Sequence, residues 1–352
     1  MPVPRRQRIL VLGALGSVAW LGVQACLSPD TLLCPAHNAT HIAGSPCDLY
    51  GAAGTPCVAA FSTTRALYRA YTGALYQVTR NSDTTTANIG VLSDGFANAA
   101  AQDAFCANTT CTITTLFDQS PNRNDLTVAP PGSNARGAGP GGDDLPAIAD
   151  SLPVTAGGHK VYGLSISAGM GYRNNAAVGA AKDGQPEGVY MLGSGIHVND
   201  QCCFDFGNAE RNNHNNGSGH MDAIRLGCDT SGSPFIALDL ENGTYPPLPI
   251  PAGMPFLTAM GTNDGQQHYA LYWGNAQAQC LVTTGSVPLP NKAYAPMHQE
   301  GAILLGIGGD NPNRSVGSFF EGAMTAGVPS NAALVAVQTN IVSAGYTDDT
   351  HP

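Results

Sequence analysis

Short apolar runs, each bounded by residues that favour turns, recur along the whole sequence. Four of them cover residues 112–117, 188–192, 235–238 and 302–307, and Gly, Pro, Asn or Asp flanks each one. Runs of this length between turn-forming residues are typical of β-strands. Many short strands joined by Gly-rich turns predict an all-β fold in which two sheets form a sandwich.

One segment near the end of the chain has a helical period instead. Leu334, Val337 and Ile341 repeat at helical spacing after Pro329-Ser330, which predicts a short C-terminal helix over residues 331–344. The stretch 129–142 is rich in Pro and Gly and predicts a surface loop. No repeat or long linker interrupts the rest, so we predict one sandwich domain over residues 45–352.

The first 25 residues have the pattern of a signal peptide. Three arginines within residues 5–8 precede an apolar stretch at 9–21, and the small-residue sequence 23–25 follows. The apolar stretch is shorter than the ~20 residues of a membrane span and contains glycines, so we predict a secreted protein without a span. Twin-arginine export and a lipid anchor on Cys26 stay open as alternatives. Residues 26–44 are predicted to be a short N-terminal segment.

The composition excludes several classes of function. Charged residues make up only 11% and the formal net charge is -10, whereas a nucleic-acid binder needs a basic surface. No Gly-x-Ser-x-Gly elbow of a serine hydrolase occurs. His214 and His220 flank a polar loop without a third ligand, and paired Cys-x-x-Cys spacings are absent, so neither a metal nor another cofactor is predicted.

Ten cysteines in an exported chain predict a disulfide framework. Sequence distance favours two short closures and leaves one long-range pair: Cys47–Cys57, Cys106–Cys111 and Cys228–Cys280.

The adjacent cysteines Cys202 and Cys203 are harder to explain by packing. A bond between them would close a ring across a single peptide, away from preferred disulfide geometry. Two buried thiols, or two partners of distant cysteines, are the alternatives. Sulfur offers a flat, polarizable, apolar surface, which suits one face of a small sugar or aromatic ligand.

Acidic residues are scarce, and three of them follow apolar strands. Asp239 and Glu241 are two apart, so a strand would direct both carboxyl groups to one face. Asp310 follows Gly308-Gly309, where glycine lets the backbone approach a ligand closely. Hydrolysis of a glycosidic bond needs two carboxyl groups. The alternative is that each acid caps a turn. Glu321 is either a third pocket acid or a structural ion-pair partner.

The motifs around these residues, Asp239-Leu240-Glu241-Asn242 and Gly306-Ile307-Gly308-Gly309-Asp310-Asn311, have ordered companions along the chain. These lie at residues 47–50, 55–60, 62–68, 105–111, 117–120, 171–175, 202–210 and 320–325. Together they resemble the catalytic domain of glycoside hydrolase family 54, the α-L-arabinofuranosidase B family. The resemblance covers roughly residues 47–346.

The resemblance implies a concanavalin-like β-sandwich of jelly-roll type and a retaining exo-enzyme that removes terminal L-arabinofuranose from arabinan or arabinoxylan. It makes Glu241 the nucleophile and Asp310 the general acid/base. It also implies that the Cys202–Cys203 disulfide lines the sugar pocket and that the closures Cys47–Cys57 and Cys106–Cys111 form. The substrate-binding residues that we predict beside the disulfide are Asp239, Asn242, Gly309 and Asn311.

The retaining mechanism sets physical requirements on this pair. The two carboxyl groups should lie ~5–5.5 Å apart. We expect burial and the charge of Glu241 to raise the pKa of Asp310, while Glu241 stays ionised. Asn242-Gly243-Thr244 is a glycosylation sequon, but a glycan beside Glu241 would obstruct the pocket, so we expect Asn242 to be unmodified.

The sequence departs from the family pattern in two places. The segment 227–234 is short and lacks the family's sugar-walling Trp, and the pair Cys228–Cys280 would brace it. The chain also stops at Pro352 without the family's C-terminal arabinose-binding module.

These departures leave other substrates open: a β-xylosidase, a galactofuranosidase or a D-arabinofuranosidase with the same carboxylates. A non-catalytic, lectin-like sandwich is the alternative from another class. The predicted partner is an arabinose-containing polysaccharide or oligosaccharide, and the predicted state is a monomer.

Overall fold

The computed structural model describes residues 31–35, 44–278 and 280–348. Within these residues the α-helices are α1 (Pro46–Ala52), α2 (Ala99–Phe105) and α3 (Asn331–Ser343). The strands are β1 (Thr31–Leu33), β2 (Cys57–Ser62), β3 (Ala74–Arg80), β4 (Thr86–Gly90), β5 (Cys111–Leu116), β6 (Leu126–Val128), β7 (Pro153–Ala156), β8 (His159–Tyr162), β9 (Leu164–Ile166), β10 (Tyr172–Asn174), β11 (Glu187–Gly193), β12 (Asp205–Ala209), β13 (Asp222–Cys228), β14 (Pro234–Asp239), β15 (Thr244–Pro249), β16 (Leu257–Asn263), β17 (His268–Asn275), β18 (Leu281–Thr283), β19 (Val287–Pro288), β20 (Ala302–Leu305) and β21 (Gly317–Ala326).

Two large antiparallel sheets account for most of these strands. The first sheet has the order β1-β18-β17-β16-β11-β21-β2, with β19 paired to β17 and β9 paired to β21. The second has the order β15-β14-β13-β12-β20-β10-β6-β5-β3-β4, and β7 pairs with β8 as a separate hairpin. The predicted all-β sandwich is therefore confirmed.

The core lies between the two sheets. Phe206 of β12 contacts Phe61 of β2 and Phe319 of β21, with ring centroids 6.2 and 5.3 Å apart, and all three rings are fully buried. Burying one such ring stabilises the fold by roughly 1.5–3 kcal/mol. These aromatic contacts hold the second sheet firmly and so provide a rigid base for any site on its opposite face.

The predicted local structure is confirmed. The four apolar runs form β5, β11, β14 and β20, and the C-terminal helix α3 ends at Ser343, one residue before its predicted end. Ser330 caps α3, since its hydroxyl accepts a hydrogen bond from the Ala333 amide at 3.3 Å. The predicted loop 129–142 contains one short 3-10 helix, Pro140–Gly142. No helix in the described ranges combines the length and hydrophobicity needed to cross a membrane.

The predicted short disulfides Cys47–Cys57 and Cys106–Cys111 are confirmed. The predicted pair Cys228–Cys280 is wrong, because Cys280 is bonded to Cys34. Leu33 pairs with Leu281 in the first sheet. Because Cys34 directly follows Leu33 and Cys280 directly precedes Leu281, this pairing brings the two cysteines together. Cys228 ends β13 in the second sheet and forms no disulfide with a cysteine of the described ranges.

Candidate active site

The candidate site lies on the face of the second sheet that points away from the core. Phe206, Ile224 and Leu238 belong to the main core. Side chains alternate along a strand, so their neighbours, which include Gly207 and Asp239, face outwards. Gly207 pairs with Ala223, and Ala223 pairs with Asp239, so small residues form a floor beside the carboxyl group.

A cleft of about 500 Å³ opens on this side of the sheet, where Asp239 is one of its lining residues. It brings together seven of the eight residues that the sequence predicts for the site, while Asn311 does not line it. The seven are Cys202, Cys203, Asp239, Glu241, Asn242, Gly309 and Asp310, and the other lining residues are Asn134, Ala135, Gln201, Asn215, Arg225, Gly243, Gly308, Pro312, Asn313 and Arg314.

A second cavity, of about 570 Å³, lies elsewhere on the protein. Arg65, Arg69, Tyr71 and Phe96 are among the residues that line it, and Asp94 supplies its one carboxyl group. Hydrolysis of a glycoside needs two carboxyl groups. The smaller cleft is therefore the better candidate for the active site, although it is not the larger space.

Glu241 lies on an unusual turn, two residues after the end of β14. Glu241 and Asn242 have φ angles of 61° and 55°, in the left-handed region that residues other than glycine rarely adopt. The carboxyl group of Asp239 accepts a hydrogen bond from the Glu241 amide at 3.2 Å, and the Tyr294 hydroxyl donates to the Glu241 carbonyl at 3.1 Å. Backbone of this kind costs of order 1–3 kcal/mol and is concentrated at functional sites.

The acids around Glu241 change its electrostatics. Burial raises the pKa of Glu241, and the nearby carboxyl groups of Glu210, Asp239 and Asp310 raise it further. The sequence predicted a raised pKa at Asp310 and an ionised Glu241, whereas the structure raises the pKa at Glu241. Burial also raises the pKa of Asp239, against the opposing charge of Arg225, whose Nη1 lies 3.9 Å from Oδ2 of Asp239.

Glu210 is a site residue that the sequence reasoning missed. It directly follows β12 and is fully buried. A Cβ atom on Gly309 would lie 2.2 Å from Oε2 of Glu210 and 2.8 Å from Oε2 of Glu241, so both carboxyl groups converge on the same glycine. The signal in the sequence was its place at the end of the motif 202–210, because the strand before it, Asp205–Ala209, contains polar residues and is not an apolar run.

Asp310 and Asn242 form hydrogen bonds with neighbouring loops. Oδ2 of Asp310 accepts a weak hydrogen bond from the Ser133 hydroxyl at 3.5 Å, and Asn242 exchanges hydrogen bonds with Asn215 at 2.6 and 3.2 Å. The separation of the Glu241 and Asp310 carboxyl groups, ~5–5.5 Å in a retaining site, stays a prediction. Asn311 is fully buried behind the cleft, where its amide group lies 3.4 Å from Oδ1 of Asp144.

Cys202 and Cys203 form a disulfide in the cleft wall, and the peptide bond between them is cis. Nη1 of Arg225 lies 3.5 Å from Sγ of Cys202, and Sγ of Cys203 lies 3.9 Å from Oδ2 of Asp239. Within the described ranges, these cysteines and Asp239 are also the one group with the spacing of metal ligands. A disulfide has no thiolate to offer a metal, so the arrangement suits an apolar contact instead.

The other candidates from the sequence lie outside the cleft. Glu321 is a structural residue, since its carboxylate binds the buried Arg65 in two hydrogen bonds of 2.5 and 2.7 Å and accepts a third from Tyr346 at 2.7 Å. His220 lies 2.9 Å from a carboxylate oxygen of Glu300, and His214 contacts the carbonyl of Asn212.

Comparisons with known proteins identify the family of this chain. The family model described as "Alpha-L-arabinofuranosidase B, catalytic" matches residues 46–347. An "Alpha-L-arabinofuranosidase" of Hypocrea jecorina is 51% identical over 319 residues, which cover 87% of this chain and 63% of the relative. An "Arabinofuranosidase/B-xylosidase" of Trichoderma koningii has the same identity and coverage.

A solved structure is also similar over most of the chain. It is an arabinofuranosidase complexed with arabinofuranosyl-alpha-1,2-xylobiose, with a TM-score of 0.83 and 46% identity, and the match covers 86% of this chain and 66% of that one. The chain spans about 63% of the length of the curated relatives that it matches.

Proposed function

Because the chain belongs to the α-L-arabinofuranosidase B catalytic family, we propose that it is a retaining exo-glycosidase. Its substrates would be terminal α-L-arabinofuranosyl residues on arabinan-type or arabinoxylan-type polysaccharides and oligosaccharides. One observation carries the proposal: Glu241 and Asp310 line the same cleft. Two carboxyl groups at one sugar subsite are what glycoside hydrolysis requires.

The proposed reaction has two steps. The Glu241 carboxylate attacks the anomeric carbon while the Asp310 carboxyl group protonates the departing glycosidic oxygen, which leaves a glycosyl ester on Glu241. Asp310, now ionised, then takes a proton from water as that water attacks the same carbon and releases Glu241. The sugar leaves with the anomeric configuration it had in the substrate.

The remaining cleft residues would bind the sugar. The disulfide of Cys202 and Cys203 offers an apolar surface to one sugar face, and Asp239 and Asn242 offer hydrogen-bonding groups to its hydroxyls. The similar enzyme that was solved with arabinofuranosyl-alpha-1,2-xylobiose supports arabinose side chains on xylan as the substrate class.

A β-xylosidase activity is the second candidate, because the relative from Trichoderma koningii is named for both activities. Nitrophenyl α-L-arabinofuranoside, β-D-xyloside, α-D-arabinofuranoside and β-D-galactofuranoside, assayed side by side, test the proposal. We expect the first to be hydrolysed fastest, with a product that proton NMR at short times shows to have the retained configuration. Faster hydrolysis of another member would reassign the substrate. Binding of arabinose without turnover of any member would indicate a lectin.

We also propose that the protein is extracellular. The disulfides Cys34–Cys280, Cys47–Cys57 and Cys106–Cys111 require an oxidising compartment. The predicted signal peptide over residues 1–25 and the alternative anchor at Cys26 lie outside the described residues. N-terminal sequencing of protein recovered from the culture medium tests the proposal, because cleavage of the signal peptide would give a mature chain that begins near Cys26. Protein found only inside the cells would refute it. The predicted monomer stays a prediction.

A further inference from the structure

Glu210 is a buried acid that the two-step mechanism does not use. Its side chain is 0% exposed, and neither carboxyl oxygen has a hydrogen-bond partner within the described ranges. A buried polar group without a partner is costly, and an ionised one costs far more. A carboxyl group in this position is more stable when it carries a proton and donates that proton in a hydrogen bond to a nearby acceptor.

The carboxyl group of Glu241 is the acceptor within reach. The Cα atom of Gly309 faces Oε2 of both Glu210 and Glu241, and the absence of a side chain there leaves room for the two groups to meet. Glu210 does not line the cleft, whereas Glu241 does. Glu210 therefore approaches the nucleophile from the protein side, away from the sugar.

Arg173 fixes the backbone on which this approach depends. Its buried guanidinium donates to the carbonyl of Gly309 at 2.7 Å and to the carbonyl of Glu210. A third hydrogen bond joins its Nε to the side-chain oxygen of Asn175 at 2.6 Å. Arg173 thus ties the loop after β12 to the loop that carries Asp310, and its donors are directed at carbonyl oxygens rather than at the Glu210 carboxyl group.

Burial decides which group carries the proton, because Glu210 is fully buried whereas Glu241 lines the cleft. Two carboxylates in one dry site cannot both ionise at neutral pH. Burial raises the pKa of Glu210, against its contact with Glu241 and the charge of Arg173, which lower it. A neutral carboxyl has one O–H to donate. A proton on Glu210 removes the charge from the more enclosed group and gives the Glu241 carboxylate a donor. The charged groups that face this pair are Arg173, Asp205, Asp239, Glu300 and Asp310.

Given the function proposed above, we propose that Glu210 is a positioning residue whose protonated carboxyl group donates a hydrogen bond to the Glu241 carboxylate. The bond orients the nucleophile and favours its ionised form. The proton stays on Glu210 throughout turnover. When Glu241 becomes an ester it loses its charge and the bond weakens, and when water releases the sugar the charge returns and the bond regains its strength. Glu210 therefore assists the second step most.

Two variants at position 210 separate this role from a structural one. Glu210→Gln keeps an N–H donor without a titrating group, and Glu210→Ala removes the donor. For Glu210→Ala we expect kcat on nitrophenyl α-L-arabinofuranoside to fall about 10- to 100-fold, the range for one lost hydrogen bond to a charged group. In the pH profile of its kcat/KM, the acid limb should move about one pH unit higher, because Glu241 is then harder to ionise.

Glu210→Gln should restore at least ten-fold of the lost kcat and keep the acid limb near its wild-type position. If both variants move the acid limb to lower pH, Glu210 is ionised in the wild type and the proposal is wrong. Equal loss in both variants with an unmoved limb assigns a structural role and also refutes it. If Glu210→Ala does not fold, Glu210→Gln decides through two measurements: near-wild-type kcat with an unmoved limb supports the proposal, and either a large loss of kcat or a limb at lower pH refutes it.

An infrared difference spectrum makes the test independent of turnover. Wild type minus Glu210→Gln should show one protonated buried carboxyl band near neutral pH, and loss of an ionised band instead would overturn the assignment. Asp83→Asn is the control, because Asp83 lies in the exposed turn between β3 and β4. A wild type that hydrolyses no pentoside would refute the proposed function, whereas an active wild type with the wrong limb shifts would refute only the role of Glu210.

Discussion

Gly309→Ala should strongly lower the proposed glycosidase activity without unfolding the protein. The new methyl group would lie 2.2 Å from Oε2 of Glu210 and 2.8 Å from Oε2 of Glu241. An ordinary contact needs about 3.5 Å, so the Glu210 carboxyl group must retreat by roughly 1 Å and that of Glu241 by somewhat less. The backbone contributes no strain, because the φ angle of Gly309 lies outside the left-handed region.

A displacement of 1 Å at a reacting group costs on the order of 100-fold in rate. We therefore expect kcat on nitrophenyl α-L-arabinofuranoside to fall about 100-fold, while overpacking lowers the free energy of unfolding by about 1–3 kcal/mol. Steady-state kinetics measure the first change and urea unfolding measures the second.

Gly51→Ala is the matched control. A methyl group on Gly51 in helix α1 would meet no atom within 4 Å, so its activity should equal that of the wild type. If Gly309→Ala retains at least half of the wild-type kcat, the two carboxyl groups do not converge on Gly309 and the geometric reasoning fails.

Three further predictions concern the proposed nucleophile, the disulfide and a second acid pair. Glu241→Ala should abolish turnover, and azide should restore it as a glycosyl azide of inverted configuration, because a small anion replaces the missing nucleophile; near-normal turnover without azide would contradict this. Replacing Cys202 and Cys203 with serine should lower kcat/KM by a factor equivalent to roughly 1–3 kcal/mol, the range for a modest pocket defect, and alkylation with mass spectrometry should find no thiol at these positions in the wild type. Burial raises the pKa of Asp222, beside Glu187, to about 7. This acid has a pKa near 4 when unfolded, so the stability that it contributes is fully present below about pH 4 and is lost as the pH rises to about 7. Relative to Asp222→Asn, the wild type should lose up to about 1.4 kcal/mol per pH unit in urea unfolding across this window, and parallel curves would refute the assignment.

Local sequence was sufficient to predict the structure wherever the interacting residues are neighbours along the chain. The strands β5, β11, β14 and β20 could be predicted because short apolar runs between turn-forming residues have few other stable conformations. The disulfide Cys106–Cys111 spans five residues, and a loop that short leaves each cysteine few other partners. The ordered motifs also identified the acids Glu241 and Asp310, which the fold brings to one cleft.

Strand order decided the features that the sequence reasoning missed. Cys34 and Cys280 are 246 residues apart and meet only because β1 pairs with β18, which no local pattern reveals. Glu321 was ambiguous because its partner, Arg65, lies on a distant segment.

The same physical reason explains why Glu210 had no assigned role. Its place beside Glu241 depends on the register of β12, β13 and β14 and on a loop from β20 that presents Gly309 between the two acids. Residue types and spacing along the chain determined which groups were available for chemistry. Only the tertiary structure determined which of them are close enough to share a proton, because the pKa of a carboxyl group depends on its burial and its neighbours in space.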